Sequence, residues 1–112
     1  PTSAGSGRTG LIDLLARHRD IDAVFCSSDL LAIGVMIEAR IRGLRVPEDL
    51  AVVGFGDLAL GRDFDPPLST VRVDGTAIGR LAARCIVDGA EGRAPAQRSF
   101  DVGFSVLRRA SS

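Results

Sequence analysis

The chain has 112 residues, a formal net charge of +0 and a hydrophobic content of 46%. This length and composition are typical of one globular domain with a modest core. A neutral chain offers no electrostatic attraction to nucleic acid or to an anionic membrane surface, and no apolar run reaches the roughly 20 residues of a membrane span. No basic and apolar leader opens the chain, so the sequence does not indicate export.

The N-terminal third is predicted to hold a helix and a strand. The first seven residues, PTSAGSG, are turn-forming, and leucines at helical spacing predict a helix over about Arg8–His18. The short apolar run Ile21–Ser27 is bounded by polar residues. Such a run is typical of a strand that is buried on both faces.

A second helix is predicted in SSDLLAIGVMIEARIRGL. Ser28 or Asp29 can cap its N-terminus, because a short side-chain oxygen accepts hydrogen bonds from the free backbone N–H groups there. Gly43 fits the left-handed position at which many helices end.

The second half of the chain alternates in the same way. Strands are predicted at Leu50–Phe55 and Ser69–Val73, and a helix is predicted at Thr76–Asp88. The tail RSFDVGFSVLRRASS is predicted as a bent or paired strand with Gly103 at its kink. The alternation indicates an α/β fold with a largely parallel sheet.

Two polar stretches follow predicted strands. CSSD ends the first strand and GFGD ends the second. Ligands of open α/β sheets sit beyond the carboxyl ends of the strands. The sequence therefore predicts a small-molecule site formed by these two stretches.

The stretch DAVFCSSDLLAIGVMIEARIRGLRVPEDLAVVGFGDLALGRDFDPPLSTVRV, with the later IGRLAA and RRASS, closely resembles the effector-binding domain of the lactose/galactose repressor family of bacterial transcription regulators. The resemblance covers nearly the whole chain from about Arg8. It implies a three-layer fold of the periplasmic-binding-protein-like type I, of which residues 1–112 would be a second-lobe fragment. The first lobe and the DNA-binding domain would lie outside the chain. The helix Thr76–Asp88 would belong to the first lobe.

The resemblance also implies a mechanism. A small sugar or sugar acid would bind between two lobes, and operator DNA would be contacted only through the missing N-terminal domain of a cytoplasmic homodimer or larger oligomer. An exported sugar-binding protein of a transport system has the same fold and is the alternative. We expect no cofactor and no membrane partner. Catalysis and metal binding are not expected, because the sequence contains no nucleophile paired with a base, no phosphate-binding glycine loop and no metal-ligand spacing.

The implied ligand contacts are Thr2, Ser28, Asp29, Gly56 and Asp57. Ser28 and Asp29 stand where the family usually has Asn-Asp; we expect Asp29 to be mainly structural and Ser28 to contact the ligand. Thr2 stands near a position that is often aromatic in the family.

Gly56 stands where the family commonly has a carboxylate that binds a sugar hydroxyl. The GFGD form resembles gluconate-type repressors, and loss of a fixed negative charge suits an anionic ligand, so a sugar acid is the leading ligand class. Alternatively, Gly56 serves backbone geometry alone. Asp57 either takes over the lost role or caps the following turn DLALGR.

The resemblance places Ile33, Ile37 and Phe64 at a subunit interface, while Met36 is expected in the core. Arg62, Asp63 and Asp65 are expected to form a solvated rim. Cys26 and Cys85 are both expected to be buried free thiols.

Overall fold

The computed structural model describes residues 1–93 and 99–112. The β-strands form one sheet in the order β1-β2-β3-β4, in which β1, β2 and β3 run parallel. The predicted α/β fold with a mostly parallel sheet is confirmed. The elements in chain order are α1 (Ala4–Arg17), β1 (Ala23–Phe25), α2 (Asp29–Ile41), β2 (Ala51–Phe55), α3 (Ala59–Asp63), β3 (Ser69–Arg72), α4 (Gly75–Ala90) and β4 (Ser105–Leu107).

Helix α1 begins earlier than the sequence predicts. Ser3 caps it, because its Oγ accepts a hydrogen bond from the N–H of Ser6 at 3.0 Å. The prediction of a turn over the first seven residues was wrong from Ala4 onward. The glycines and serines there have low helix propensity, but packing against α2 overrides it.

Helices α1 and α2 touch through two glycines. A Cβ on Gly7 would lie 2.1 Å from the Leu31 carbonyl oxygen, and one on Gly34 would lie 2.0 Å from the Ala4 carbonyl oxygen. No side chain fits at either place. The two backbones are therefore in direct contact, and this crossing fixes α1 on α2.

Strand β1 is not buried on both faces as predicted. It lies at the edge of the sheet, and Phe25 is 64% exposed. Only Val24 packs against the core. A short apolar run does not show which faces are covered, because coverage depends on the neighbouring elements.

The core is built mainly on α2. Ile33 and Met36 both lie in this core, and Ile33 is only 4% exposed. A core position was expected for Met36, whereas Ile33 was expected at a subunit interface. Burial and the nearby Asp29 charge raise the pKa of the Cys26 thiol to about 11. Cys85 is exposed, so its predicted burial was wrong. The buried apolar residues are Leu11, Cys26, Ala32, Ile33, Val35, Met36, Ala39, Leu50, Val52 and Leu68.

The chain divides into two compact units. The first unit contains Pro1–Arg72 and Val106–Ser112, and the second contains Val73–Ser105. The second unit carries α4, which has no buried residue and starts at the capping side chain of Asp74. The assignment of this helix to a first lobe, which the resemblance implied, stays a prediction.

The tail returns to the first unit after a turn at Gly103, which has the left-handed φ of 72° expected of a kink there. Ser111 is fully buried, and its Oγ donates to the Val52 carbonyl at 2.6 Å and accepts from the Ser69 N–H at 2.8 Å. These bonds fasten the tail beside β2 and β3. Among the described helices, none combines the length and the apolar composition that a bilayer span requires.

Candidate functional site

The two polar stretches predicted to form a site lie at the same edge of the sheet. Strands β1 and β2 are parallel, and Phe25 is in register with Val53. The ladder continues one residue further, because the Cys26 N–H donates to the Val53 carbonyl at 2.8 Å. CSSD follows the carboxyl end of β1 and GFGD spans the carboxyl end of β2, and ligands of parallel sheets bind at such ends.

Ser28 is the N-cap of α2. Its Oγ accepts a hydrogen bond from the Leu31 N–H at 3.2 Å, which settles which of the two candidate residues caps the helix. The side chain is half-buried, and its hydroxyl can still donate its own proton. Ser28 can therefore cap the helix and contact a ligand at the same time.

Asp29 holds three elements together. It is fully buried, its Oδ1 accepts from the Thr70 hydroxyl at 2.7 Å, and its Oδ2 accepts from the Leu58 N–H at 2.7 Å. The carboxylate thus joins the start of α2 to β3 and to the loop after β2. Because the side chain has no exposed surface, we assign it a structural role rather than direct ligand contact.

The two glycines of GFGD meet different structural requirements. A Cβ on Gly54 would lie 2.3 Å from Asp29 Oδ1, so the residue makes room for the buried carboxylate. Gly56 has a φ of 120°, which L side chains rarely adopt, and nothing lies within 4 Å of the place where its Cβ would stand. Gly56 therefore serves backbone geometry and also leaves the loop open.

Asp57 does not cap the helix that follows. Leu58 is the N-cap of α3, and that cap has no side-chain hydrogen bond, so the capping alternative was wrong. Asp57 has a φ of 56°, and its carboxylate accepts from Arg109 Nη2 at 2.8 Å, with Arg62 Nε 3.8 Å away. Its backbone N–H donates to Thr70 Oγ1 at 3.3 Å.

The electrostatic surroundings keep Asp57 ionised. The hydrogen bond from Arg109 lowers the pKa of the carboxyl group despite partial desolvation, and the charges of Arg109, Arg62 and Arg72 lower it further. Three guanidinium groups thus act on the Asp57 carboxylate, and the buried Asp29 carboxylate lies behind Thr70.

Sequence reasoning missed two residues of this arrangement. Thr70 relays a hydrogen bond from the Asp57 backbone to Asp29, and Arg109 neutralises the Asp57 side chain. Arg109 lies in RRASS, more than fifty positions from Asp57 along the chain. No local sequence pattern pairs residues that far apart. The one available signal was general: a carboxylate that is shielded from water requires a nearby cation.

The structure brings Ser28, Asp29, Gly56 and Asp57 to one edge of the sheet. Thr2 is exposed and precedes the Ser3 cap, and no hydrogen bond joins it to the other four within residues 1–93 and 99–112.

The expected interface residues differ in burial. Ile37 and Phe64 are partly buried against the core, whereas Ile33 is too buried to offer surface to a second copy. A cavity of about 430 Å³ opens nearby, lined among others by Met36, Arg40 and Pro66. Arg62, Asp63 and Asp65 are exposed, as expected of a loop rim.

Comparisons with known proteins place the chain in a family. Residues 2–112 match the model of the periplasmic binding protein-like domain. The HTH-type transcriptional regulator GntR of Pseudomonas aeruginosa is 38% identical over 112 residues, which are 100% of this chain and 33% of that protein. The HTH-type transcriptional regulator CelR of Thermobifida fusca is 41% identical over 83 residues, or 74% of this chain and 24% of that protein.

Solved structures agree with these relatives. The transcription regulator GntR from Chromobacterium violaceum has a TM-score of 0.88 and 40% identity, and the match covers 100% of this chain and 41% of that one. A complex of the transcriptional regulator CelR with cellobiose has a TM-score of 0.91 and 34% identity, covering 98% and 34%. A LacI-type regulator from Bifidobacterium animalis has a TM-score of 0.87 at 26% identity, covering 98% and 39%.

These relatives are transcription regulators rather than enzymes. The chain spans between about a quarter and a third of the length of the curated relatives named above. The family model covers all but one of its residues, and its fold is that of the regulators. The chain therefore belongs to the periplasmic binding protein-like domain family, in the form carried by the effector-binding domains of LacI-type transcription regulators.

Proposed function

We propose that residues 1–112 are part of the effector-sensing domain of a bacterial transcription regulator that binds a small sugar or sugar acid and thereby controls DNA binding. The observation that carries the proposal is the placement of the Ser28–Asp29 turn and the open Gly56–Asp57 loop at the carboxyl ends of neighbouring strands, where the Leu58 N–H joins them by donating to Asp29. That edge belongs to a fold shared with CelR, whose solved complex contains cellobiose.

The charge at the loop favours a sugar acid within this class. Because residue 56 is a glycine, it contributes no carboxylate to the open space after β2. The carboxylate of Asp57 is already paired with Arg109. Arg62 and Arg72 are exposed and leave excess positive charge beside the loop. An anionic ligand gains from this field, whereas a carboxylate at position 56 would repel it.

The proposed mechanism is a shift between two arrangements of the regulator. Ligand binding at this edge would favour one arrangement, and the effect on DNA can be only as large as the difference in ligand affinity between the two. DNA would be bound by another part of a longer, cytoplasmic chain. The partner would be a second copy of the same protein, seated on the surface that includes Ile37 and Phe64.

The ligand class is tested at Gly56 in the complete protein that contains residues 1–112. Gly56→Asp and Gly56→Ala both place a Cβ on a backbone at φ 120°, so the comparison offsets most of the backbone strain and leaves the carboxylate as the main difference. We expect calorimetry to show that Gly56→Asp weakens gluconate binding by at least about tenfold, or ~1.4 kcal/mol, relative to Gly56→Ala. Glucose binding should separate the two variants much less.

A thermal-shift series with the complete wild-type protein covers the wider class. Gluconate, other sugar acids, neutral sugars and purines are compared, because a ligand at about one hundred times its Kd adds about 2.7 kcal/mol of stability. Stabilisation by sugar acids supports the proposal. Stabilisation by purines alone, or equal gluconate affinity in both Gly56 variants, would overturn the ligand class.

An exported sugar-binding protein of a transport system is the second candidate, since the same fold serves both. The relatives and solved structures named above are transcription regulators, which favours the first proposal. A helix-turn-helix domain in the same polypeptide decides for the regulator, and a transporter partner decides for the alternative.

A further inference from the structure

The ion pair of Arg109 with Asp57 is shielded from solvent on both sides. The two side chains are 19% and 10% exposed, whereas Arg45 and Asp49, the partners of another close pair, are 72% and 32% exposed. Exposed pairs contribute little because water competes for both charges. A shielded pair is stronger, and losing one partner leaves the other charge uncompensated.

Arg109 uses its planar side chain as a fork. Nη2 donates to Asp57 at 2.8 Å, and Nη1 donates to the Leu68 carbonyl at 2.8 Å. The two bonds fix the guanidinium between the loop after β2 and the residue before β3. A lysine has a single charged nitrogen and cannot reproduce this geometry.

The loop that Arg109 holds is the candidate ligand loop. Asp57 has a left-handed φ of 56°, which a non-glycine residue adopts at a cost when its surroundings impose it. Its N–H is held by Thr70, and the next N–H, of Leu58, is held by Asp29. Arg109 makes the shorter of two ion pairs with the Asp57 side chain, at 2.8 Å against 3.8 Å for Arg62.

Arg109 belongs to the segment by which the chain returns to the first unit. The chain leaves that unit after Arg72 and re-enters it at Val106. The tail stays attached without the Arg109 side chain, because Ser111 is bonded to Val52 and Ser69. Loss of the guanidinium should therefore release the loop without releasing the tail.

We propose that Arg109 is a positioning residue for the effector site, which holds the Gly56–Asp57 loop in its ligand-binding conformation and links it to the segment returning from the second unit. The proposal rests on the proposed function for its ligand. The link runs in both directions, because a coupling between two parts of a protein is reciprocal. Loss of the Asp57 carboxylate must therefore loosen the segment around Arg109, and loss of the Arg109 guanidinium must loosen the loop.

The matched control is the preceding residue. Arg108 is exposed, and its side chain makes no hydrogen bond with the residues that the structure describes, so Arg108→Gln removes one arginine charge without touching the loop. Arg109→Gln removes the charge and leaves a shorter side chain. Arg109→Lys keeps the charge but removes the planar group that makes the two hydrogen bonds to Asp57 and Leu68.

The first test is amide hydrogen exchange in the complete, ligand-free protein. Arg109→Gln should raise the exchange rates of the Asp57 and Leu58 amides by at least about tenfold, while the Val52 and Val53 amides of β2 keep their protection. Arg109→Lys should give a smaller increase, and Arg108→Gln none. Reciprocally, Asp57→Asn should raise the exchange rate of the Arg109 amide, which donates to Ser69 Oγ.

The second test follows the Asp57 carboxyl by carbon-13 NMR during a pH titration. The charged groups that face it are Arg109 from the tail, Arg62 from α3 and Arg72 from β3, with the Asp29 carboxylate behind Thr70. Arg109→Gln should raise the pKa of Asp57 toward its ordinary value, and Arg108→Gln should leave it unchanged.

Unchanged loop exchange in Arg109→Gln would overturn the proposal. Loss of protection throughout the first unit would also overturn it, because it would make Arg109 a general structural clamp. Calorimetry with gluconate is the third test, and Arg109→Gln should weaken binding at least about fivefold relative to Arg108→Gln. If wild type does not bind gluconate, the ligand class fails, while exchange and titration still decide the role of Arg109.

Discussion

The Asp29 carboxylate accepts hydrogen bonds from two other parts of the chain, although no part of it is exposed. One oxygen serves the Thr70 hydroxyl and the other serves the Leu58 N–H. The sequence indicated a structural role, because an aspartate beside a helix start is a common cap. It could not show these partners, since they lie 29 and 41 positions away along the chain.

We predict that Asp29→Asn destabilises the protein by roughly 2–3 kcal/mol, because an amide nitrogen cannot accept and one buried donor is left unpaired. Urea unfolding measures the free energy difference. The control is Asp63→Asn, an exposed aspartate on the loop rim that should change stability by less than about 0.5 kcal/mol. Equal unfolding midpoints for the two variants would contradict the assignment.

Asp49 gives a pH-dependent contribution to stability. Hydrogen bonds from the Arg45 side chain and backbone lower the pKa of Asp49 from 3.8 to about 2. A lowered pKa in the folded protein means that the ionised form stabilises the fold, so this contribution is complete above the ordinary pKa and is lost as the pH falls through about 2.

We therefore predict that wild type is more stable than Asp49→Asn at neutral pH, and that the difference shrinks between pH 3.8 and about 2. Chemical unfolding at a series of pH values measures it. A difference that grows as the solution becomes more acidic would have the wrong sign.

At the scale of elements, the crossing of α1 and α2 depends on glycine. Gly34 lets the Ala4 carbonyl approach so closely that an added Cβ would lie 2.0 Å from its oxygen. Gly10 also lies in a helix, but nothing stands within 4 Å of its Cβ position. The same substitution at these two positions should therefore have opposite effects.

We predict that Gly34→Ala destabilises the protein by roughly 3 kcal/mol or more, because α1 must move away from α2. Gly10→Ala should stabilise it by about 0.5–1 kcal/mol, because alanine has the higher helix propensity. Thermal and urea unfolding of both variants provide the comparison. If Gly34→Ala were neutral, the two helices would not be in the contact described.

Most elements could be predicted from local sequence. The second helix, with Ser28 at one end and Gly43 at a φ of 75° beyond the other, carries its own start and stop signals. Strand β2 was predicted to within one residue. The prediction failed where tertiary contacts decide: α1 starts at Ala4 because α2 supports it, and β1 is exposed because it lies at an edge.

At the scale of the whole molecule, the second unit presents an uncovered apolar face. Helix α4 has no buried residue, and Ile86 and Val87 are 72% and 51% exposed. A cavity of about 390 Å³ lies along this face. It is lined by Ile78, Leu81, Ala82, Cys85, Phe100 and Val102. The sequence predicted this helix over Thr76–Asp88, but it placed Cys85 in a buried setting.

We predict that residues 1–112 expressed alone form dimers or larger assemblies at micromolar concentration. Each large aliphatic side chain that becomes buried contributes roughly 1.5–3 kcal/mol, so several on one face can hold two copies together. Light scattering measures the mass. Replacing Ile78 and Ile86 by glutamate should give monomers, whereas a monomeric wild type would contradict the prediction.

The candidate site could be predicted only in part, because local sequence shows where a strand ends but not which distant residues it meets. The alternating pattern predicted parallel strands, and this placed CSSD and GFGD together at the carboxyl ends of two neighbouring strands. The partners of those stretches could not be found this way. Thr70 lies inside a strand and Arg109 in the tail, and only the folded chain brings them to Asp29 and Asp57.

The most direct test of the central claim is the effect of ligand on DNA affinity in the complete protein. Genomic fragments that the protein retains are selected first, and fluorescence anisotropy then measures the Kd for DNA with and without saturating gluconate. If this domain is an effector sensor for sugar acids, gluconate should change that Kd by about 5–150-fold, while the Gly56→Asp variant should respond much less. A DNA affinity that is the same with and without every sugar or sugar acid that binds the protein would contradict the claim.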